Sequence, residues 1–419
     1  MRRKERVGML QEKQVVVIIM PKVLERESFY ELLQMRNYKI AVLGEEYIGD
    51  KADYFIQADA KNLDVVVSEL MKFGKNHKIA MIFTISEYGI EVASEAADIL
   101  DIPFASSFKS IKRARNKYLT REYVKKAGIA SSEFFIFKTK SELKEKVEQV
   151  GFPFIIKPLN AGGSCSIIQI NNKEELEERV EQAILDRDGM PVNDFRCDTL
   201  KEYWMAEEFL EGIEVSVESF TFNGETSVVA IHDKFCNISE PFFIEKLFVT
   251  PSPRLTLKQI SSIEDMTKKV LEAIEYDYGI SHVEFKVIDD GPRLLEVNAR
   301  LGGGLIMESV YRSTGVNLLE VLLDIRSGKK PEINIKTRKN VAFSLITVEE
   351  GIVTDIEGFE EAGTVKNINI ARSYVKKGSL VKARQANYGG FLLAEGSDIK
   401  DLINSLAIAE EKITISVSI

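Results

Sequence analysis

The stretch from Ser281 to Gly304, SHVEFKVIDDGPRLLEVNARLGGG, constrains the fold of this chain more than any other. Two alternating runs meet at Asp289-Asp290-Gly291-Pro292, residues that favour a turn, so the segment reads as a β-hairpin. Strand side chains alternate between faces, which puts Val283, Phe285 and Val287 on one face with Leu295, Val297 and Ala299 opposite. The other face collects Glu284, Lys286, Glu296, Asn298 and Arg300. A register pairing Val287 with Arg293 sets Glu284 directly across from Glu296.

Two carboxylates opposed in this way repel unless positive charge lies between them. A divalent metal answers that need, and an all-oxygen set of two carboxylates and an amide suits magnesium. Magnesium seldom occupies an all-protein cage and usually shares the phosphates of a nucleotide, so the hairpin points to an ATP-using enzyme. The bland alternative is a solvated amphipathic hairpin, since charged strand faces are common. The run Gly302-Gly303-Gly304 weighs against it: glycines permit close backbone approach to a ligand, and unneeded ones only add entropy cost.

A chain of 419 residues predicts two or three domains, and 45% hydrophobic content supplies material for ordinary soluble cores. No apolar run approaches the roughly 18 residues that span a bilayer. The start, MRRKERVGMLQEKQVVVIIMP, is basic and then apolar like a signal peptide. Its apolar part is short, β-branched and without a small-residue cleavage site, so a first buried strand is expected instead. A net charge of -9 argues against general nucleic-acid binding. Cys165, Cys197 and Cys236 are too scattered for a disulfide framework or zinc site, which fits a reducing cytoplasm. His77, His232 and His282 are the only histidines, which excludes a His-rich metal site. The chain has no nucleophile elbow, Walker A loop or G-x-G-x-x-G fingerprint, so ATP would have to bind by another route.

From Gln14 the pattern is strand, helix, strand (14–21, then VLERESFYELLQMR, then 38–44), with a further strand at 78–86 before a helix. This alternation predicts a parallel sheet covered by helices over 1–111. Lys112 to Gly128 reads as one basic helix ending on a glycine cap. It faces solvent or nucleotide, or could dock an acidic carrier. Strands and helices then form an α+β block, with a lid at about 112–200, and a long antiparallel stretch runs from Glu202 to the hairpin. After Gly328-Lys329-Lys330-Pro331 the chain is rich in short strands, with one late helix. The boundaries expected are 1–111, 112–334 and 335–419.

Lys157 closes the apolar strand FPFIIKP ahead of Asn160-Ala161-Gly162-Gly163-Ser164-Cys165-Ser166, a loop of small residues whose backbone N–H groups suit a phosphate. A plain hairpin turn explains it equally well. The segment MAEEFLEGIEVSVESF (205–220) reads on its own as a half-buried strand with a charged face, and Glu211-Gly212 as an ordinary turn.

Taken in order, NKYLTRE, FIIKPLNAGGSCSI, AEEFLEGIEVSVE, HVEF and LLEVNARLGGG resemble the ATP-grasp superfamily of carboxylate–amine ligases, over roughly Ile111 to Ile325. Within it, IHDKFCNISEPFFIEKLFVTPSPRL (231–255) and the strand-rich C-terminal part are most similar to the L-amino acid ligases, which join unprotected amino acids into dipeptides. The resemblance implies an N-terminal parallel α/β domain, a central ATP-grasp fold and a C-terminal strand-rich α+β domain.

It also implies roles. Lys117 and Lys157 contact the ATP phosphates, and the loop bearing Gly162, Gly163, Ser164 and Ser166 closes over the β and γ groups. Glu207 accepts from the adenine amino group beside the backbone of Phe209 and Leu210, and Glu214 holds the ribose hydroxyls. Glu284, Glu296 and Asn298 ligate Mg2+, with Mn2+ able to substitute. Arg300 stabilises the acyl-phosphate and tetrahedral intermediates, with Lys157 as its catalytic companion. Gly303 and Gly304 shape the substrate pocket, and Glu245 is a candidate contact for a substrate amino group. Gly304 stands where some relatives carry a bulky residue, which implies a roomier pocket. The activity implied is ADP-forming ligation of an amino acid to an amine. Two alternatives stay open: loading of an amino acid onto a carrier-protein thiol or natural-product intermediate, and a non-catalytic ATP sensor. The architecture is also compatible with a homodimer.

Overall fold

Val15–Ile19 is a run of β-branched residues, and every one of them is buried. A strand apolar on both faces belongs inside a parallel sheet with helices on each side. In the computed structural model, which describes residues 14–19, 27–47, 49–84, 86–160, 167–188, 202–239, 242–335, 339–381 and 387–418, that is its place. Strands β1 (Val15–Ile19), β2 (Lys39–Gly44), β3 (Tyr54–Gln57) and β4 (Ile79–Thr84) form a parallel sheet in the order β3-β2-β1-β4. Helix α1 (Glu27–Met35) connects β1 to β2 and α2 (Leu63–Gly74) connects β3 to β4, and α3 (Ile90–Ile99) follows β4. The short, half-exposed β3 was not anticipated. This unit comprises the described residues up to Phe108 together with Arg326–Gly328.

The second unit takes in Lys109–Ile325 and the residues from Lys329 onward. The basic segment expected as one helix is two, α4 (Phe108–Arg115) and α5 (Lys117–Lys126). Asn116 breaks it: its backbone is extended and its side chain accepts from the Leu119 N–H at 3.0 Å, an N-cap that starts a new helix. Nor does the segment simply face solvent, because Arg113, Arg115, Lys117 and Arg121 are buried.

Strands β5 (Phe134–Phe137), β6 (Phe154–Pro158), β7 (Ile168–Ile170) and β8 (Trp204–Glu208) make a four-stranded antiparallel sheet, β5-β8-β6-β7. Its core includes Phe137, Phe154, Val180 and Trp204 and is covered by α6 (Lys140–Lys146) and α7 (Lys173–Asp188). β8 carries this sheet past the lid limit of about 200 drawn above.

The central sheet is antiparallel and has eight strands. It uses β9 (Ile213–Phe222), β10 (Glu225–Ser239), β11 (Phe242–Thr250), β12 (Tyr278–Ile288), β13 (Gly291–Asn298), β14 (Asn340–Thr347), β16 (Ile368–Ser373) and β18 (Tyr388–Gly396), in the order β13-β12-β9-β10-β11-β14-β18-β16. Three further strands, β15 (Gly351–Glu357), β17 (Leu380–Val381) and β19 (Thr414–Ser418), form a small sheet of their own. The C-terminal strands expected as a separate domain after residue 334 thus extend the central sheet, Val249 on β11 pairing with Ala342 on β14.

Helix α8 (Leu257–Ala273) interrupts the stretch expected to be antiparallel strand throughout, and a capping box between Thr256 and Gln259 opens it. Helices α9 (Ile306–Thr314), α10 (Leu318–Arg326), α11 (Phe359–Gly363) and α12 (Ile399–Glu410) complete the chain, with Leu402 and Leu406 of α12 in the core beside Leu392 and Ala394. Among the described residues no helix is long and apolar enough to cross a membrane.

Candidate nucleotide site

The hairpin is β12 and β13 joined at Asp289-Asp290, and Glu284 does pair with Glu296. The register at the tip differs from the expected one, because Val287 pairs with Pro292 and Lys286 with Arg293. A β-bulge at Leu295 adds one residue to β13 and restores the pairing of the two glutamates. Leu294, not Leu295, therefore opposes Phe285 in the core, buried at 0% exposure.

Pairing across β10, β9, β12 and β13 lays polar side chains in three rows on one face. Glu214 lies between Lys234 and Lys286; Ser216 lies between His232 and Glu284, with Glu296 beyond; Glu218 pairs with His282, with Asn298 beyond. In the segment read as a half-buried strand with a charged face, Glu207 and Glu218 are buried, whereas Glu208 and Glu211 are exposed.

Cations stand among the carboxylates of these rows. Lys234 Nζ is 2.9 Å from Glu214, 2.5 Å from Glu245 and 3.1 Å from Glu284. Lys286 is 2.9 Å from Glu214. Burial would raise the Glu214 carboxyl, but Lys234 and Lys286 bring it below the ordinary value. Burial of Glu245 raises its carboxyl, with Lys234 opposing. His282 bridges two carboxylates, Nδ1 to Glu218 at 2.6 Å and Nε2 to Glu284 at 3.0 Å. Burial alone would lower its pKa, yet the two glutamates push it up to about 10. Burial disfavours the Glu284 anion, but Lys234 and His282 hold that carboxyl well below the usual range.

A second cluster lies alongside. Glu207 on β8 is diagonal to Lys157 on β6, because Glu207 pairs with Ile155 and Lys157 with Met205. Lys157 Nζ pairs with Glu207 Oε2. Arg121 Nε donates to Glu207 Oε1 at 2.7 Å, and Ser132 Oγ donates to the same oxygen. Burial would raise the Glu207 carboxyl; Arg121 and Lys157 overturn that and hold it at about 2. Burial also lowers the Lys157 pKa, and Arg121 and Lys117 add to the effect against the pull of Glu207.

Lys117, the first residue of α5, donates its backbone N–H to Leu159 at 2.9 Å and reaches Glu296 with Nζ at 3.1 Å. The structure thus brings together the two lysines that the sequence left apart. Lys117, Arg121 and Lys157 gather around Glu207 and Glu296, a concentration of buried cations that suits an anion as a further partner.

The remaining expected residues fall as follows. The Phe209 N–H donates to Pro153 at 3.3 Å, and Leu210 is buried. Arg300 is half-buried, with Nη1 donating to Leu301 at 3.0 Å. At Gly303 and Gly304 an added Cβ would meet nothing within 4 Å, so both border open space. The loop of Gly162, Gly163, Ser164 and Ser166 lies outside the described residues.

For a divalent ion, Glu284 and Glu296 are cross-strand partners and Asn298 follows two residues on along β13, carboxylate and amide groups of the kind a hard cation takes, with Glu284 here held by His282 and Lys234 and Glu296 by Lys117. Glu214, Glu245 and Glu284 also have carboxylate oxygens within 4.8 Å of one another, around Lys234. Arg121, Lys234, His282 and Ser132 were not singled out in the sequence. Arg121 is four residues beyond Lys117 on the same helix, and His282 two before Glu284 on the same strand, spacings that could have found them. No comparable signal marks Lys234 or Ser132.

A small antiparallel lid sheet, a large antiparallel sheet with an acidic hairpin, and buried lysines beside both are the features of an ATP-grasp fold. Residues 150–309 match the ATP-grasp domain family. It is 25% identical over 343 residues to an alanine–anticapsin ligase of Bacillus subtilis, covering 75% of this chain and 70% of that protein. It is 24% identical over 281 residues to a D-alanine–D-alanine ligase of Natranaerobius thermophilus, covering 62% and 72%. The crystal structure of an L-amino acid ligase from Bacillus licheniformis has the same fold at a TM-score of 0.82, with 20% identity over 97% of this chain and 99% of that one.

Proposed function

We propose that this protein is an ATP-dependent carboxylate–amine ligase that joins an amino acid to an amine, a second amino acid, and releases ADP and phosphate. The carrying observation is the cluster of Lys117, Arg121 and Lys157 beside the cross-strand pair Glu284 and Glu296. Polyphosphate and its divalent ion are the ligands that such a neighbourhood suits. The names of its relatives, an alanine–anticapsin ligase and a D-alanine–D-alanine ligase, support amino acids as the substrates.

In this reading Lys117 and Lys157 bind the phosphates. Glu207, beside Phe209 and Leu210, receives the adenine, and Glu214 the ribose. Glu284, Glu296 and Asn298 hold Mg2+, which neutralises charge on the transferring phosphoryl group when bound. A carboxylate is a poor electrophile, so its oxygen attacks the γ-phosphorus and forms an acyl phosphate while ADP leaves. The amine then attacks the acyl carbon and phosphate departs. Arg300 stabilises the negative charge of that second step. Glu245 contacts a substrate ammonium group, and the open space at Gly303 and Gly304 receives a side chain. In the division 1–111, 112–334 and 335–419, the middle part carries the catalytic groups and the last part adds strands to the same central sheet.

The test is ADP release with Mg2+ and ATP against amino acids singly and in pairs, with mass spectrometry of the products. Turnover that requires two amino acids and yields a dipeptide mass is expected. ATP binding with no turnover on any pair would overturn the dipeptide reading and favour a carrier-bound acceptor or a sensor.

A further inference from the structure

We propose that Arg121 is a positioning residue for base recognition, fixing Glu207 so that the nucleotide is read as adenine. The proposal rests on the reading of Glu207 as the acceptor for the adenine amino group.

The Arg121 side chain is fully buried, and it touches two elements that the site needs in register. Its Nε meets Glu207 Oε1 on β8 at 2.7 Å, and its Nη2 donates to the Leu295 carbonyl on β13 at 2.8 Å. Leu295 is the bulge residue that sets Glu296 opposite Glu284, so one guanidinium spans the base-reading strand and the acidic hairpin. Ser132 donates to the same Oε1, which commits that oxygen to the protein. Oε2 takes only Lys157 among the described partners of Glu207, and a carboxylate oxygen accepts more than one donor. Oε2 is therefore the atom left to accept from an exocyclic amine.

Burying a guanidinium costs several kcal/mol unless its geometry is well matched, so a plain structural cross-link would be served as well by apolar residues. Arginine is distinctive in offering a rigid fork that satisfies two acceptors in fixed directions, which a lysine cannot do.

The experiment is calorimetric titration of the full chain with ADP and with IDP, whose base carries a 6-oxo group in place of the 6-amino group. Wild type, Arg121→Lys, Glu207→Gln and the double variant are compared, each with its thermal unfolding recorded. Arg121→Gln replaces Arg121→Lys if the lysine variant does not fold. Wild type should prefer ADP by on the order of tenfold or more. Arg121→Lys should weaken ADP about tenfold, or about 1.4 kcal/mol, and IDP little, so that the ratio collapses. The double variant should be no worse than Glu207→Gln alone, because Arg121 acts through Glu207. Equal weakening of ADP and IDP, no weakening, or additive losses would overturn the role of Arg121 while leaving Glu207 standing. A wild type indifferent to ADP and IDP would sink the Glu207 reading and this inference with it.

Discussion

Single residues carry the chemistry, and their effects separate by what each one touches. Glu296 meets Lys117 and faces Glu284, so Glu296→Ala should cut ADP formation on the order of 100-fold or more while leaving the fold intact. Unchanged turnover in that variant would remove Glu296 from the proposed ligand set. Arg300 is given its task on the acyl phosphate and the tetrahedral intermediate, after ATP has bound. Arg300→Ala should therefore lower kcat on the order of 100-fold with KM for ATP nearly unchanged, and an equal loss in both would contradict the assignment. The opposed pair Glu284 and Glu296 was readable from alternation and an expected register, although the bulge at Leu295 is what brings the two together. Lys234 was not, because it contacts Glu284 across β9 from fifty residues away, and nothing in a local pattern announces such a partner.

At the scale of elements, two junctions set the site. Asn116 starts α5 and so fixes where Lys117 begins. Asn116→Ala should cost about 1 kcal/mol of stability and weaken nucleotide binding, read from denaturant unfolding and titration with ADP. Gly212 joins β8 to β9, between Glu207 and Glu214. A Cβ there would lie 2.4 Å from the Val287 carbonyl oxygen, a backbone atom that cannot yield cheaply. Gly212→Ala should destabilise by about 1–3 kcal/mol, and an unchanged unfolding midpoint would show that the approach is looser than described. The first strands and the late helix were legible from composition and period. The break at Asn116 was missed because the segment has the charge and spacing of one continuous helix. Helix α8 was missed despite the Thr256 and Gln259 cap, because it falls among strands.

At the scale of the whole molecule, acid stability is linked to the buried pairs. The folded-state pKa of Glu207 is depressed to about 2, below the roughly 4.3 of an unfolded glutamate. Its contribution is therefore fully present above the unfolded value and is lost as pH falls towards about 2. The gap in unfolding midpoint between wild type and Glu207→Gln should be widest near neutrality and narrow below about pH 4. A gap that stays constant with pH would show that the Glu207 pair adds nothing to acid stability. The general architecture was legible because each motif carries its own local signature. That the last strands join the central sheet was not, since strand partners separated by most of a domain leave no trace in composition.

The bulge at Leu295 has a further consequence for how the chain can vary. On the tip side of that residue the two strands run in one register, and on the site side in another. The extra residue is a mechanical joint between the Asp289-Asp290 tip and the glutamate pair. A marker peptide spliced between Asp289 and Asp290 should leave Glu284 opposite Glu296, and deleting Leu295 should leave them opposed too, because Glu296 then follows Leu294 in a regular ladder, while the carbonyl that receives Arg121 is lost. The exposed end of the hairpin is thus a tolerant place to attach a reporter, a few residues from a centre that tolerates almost nothing.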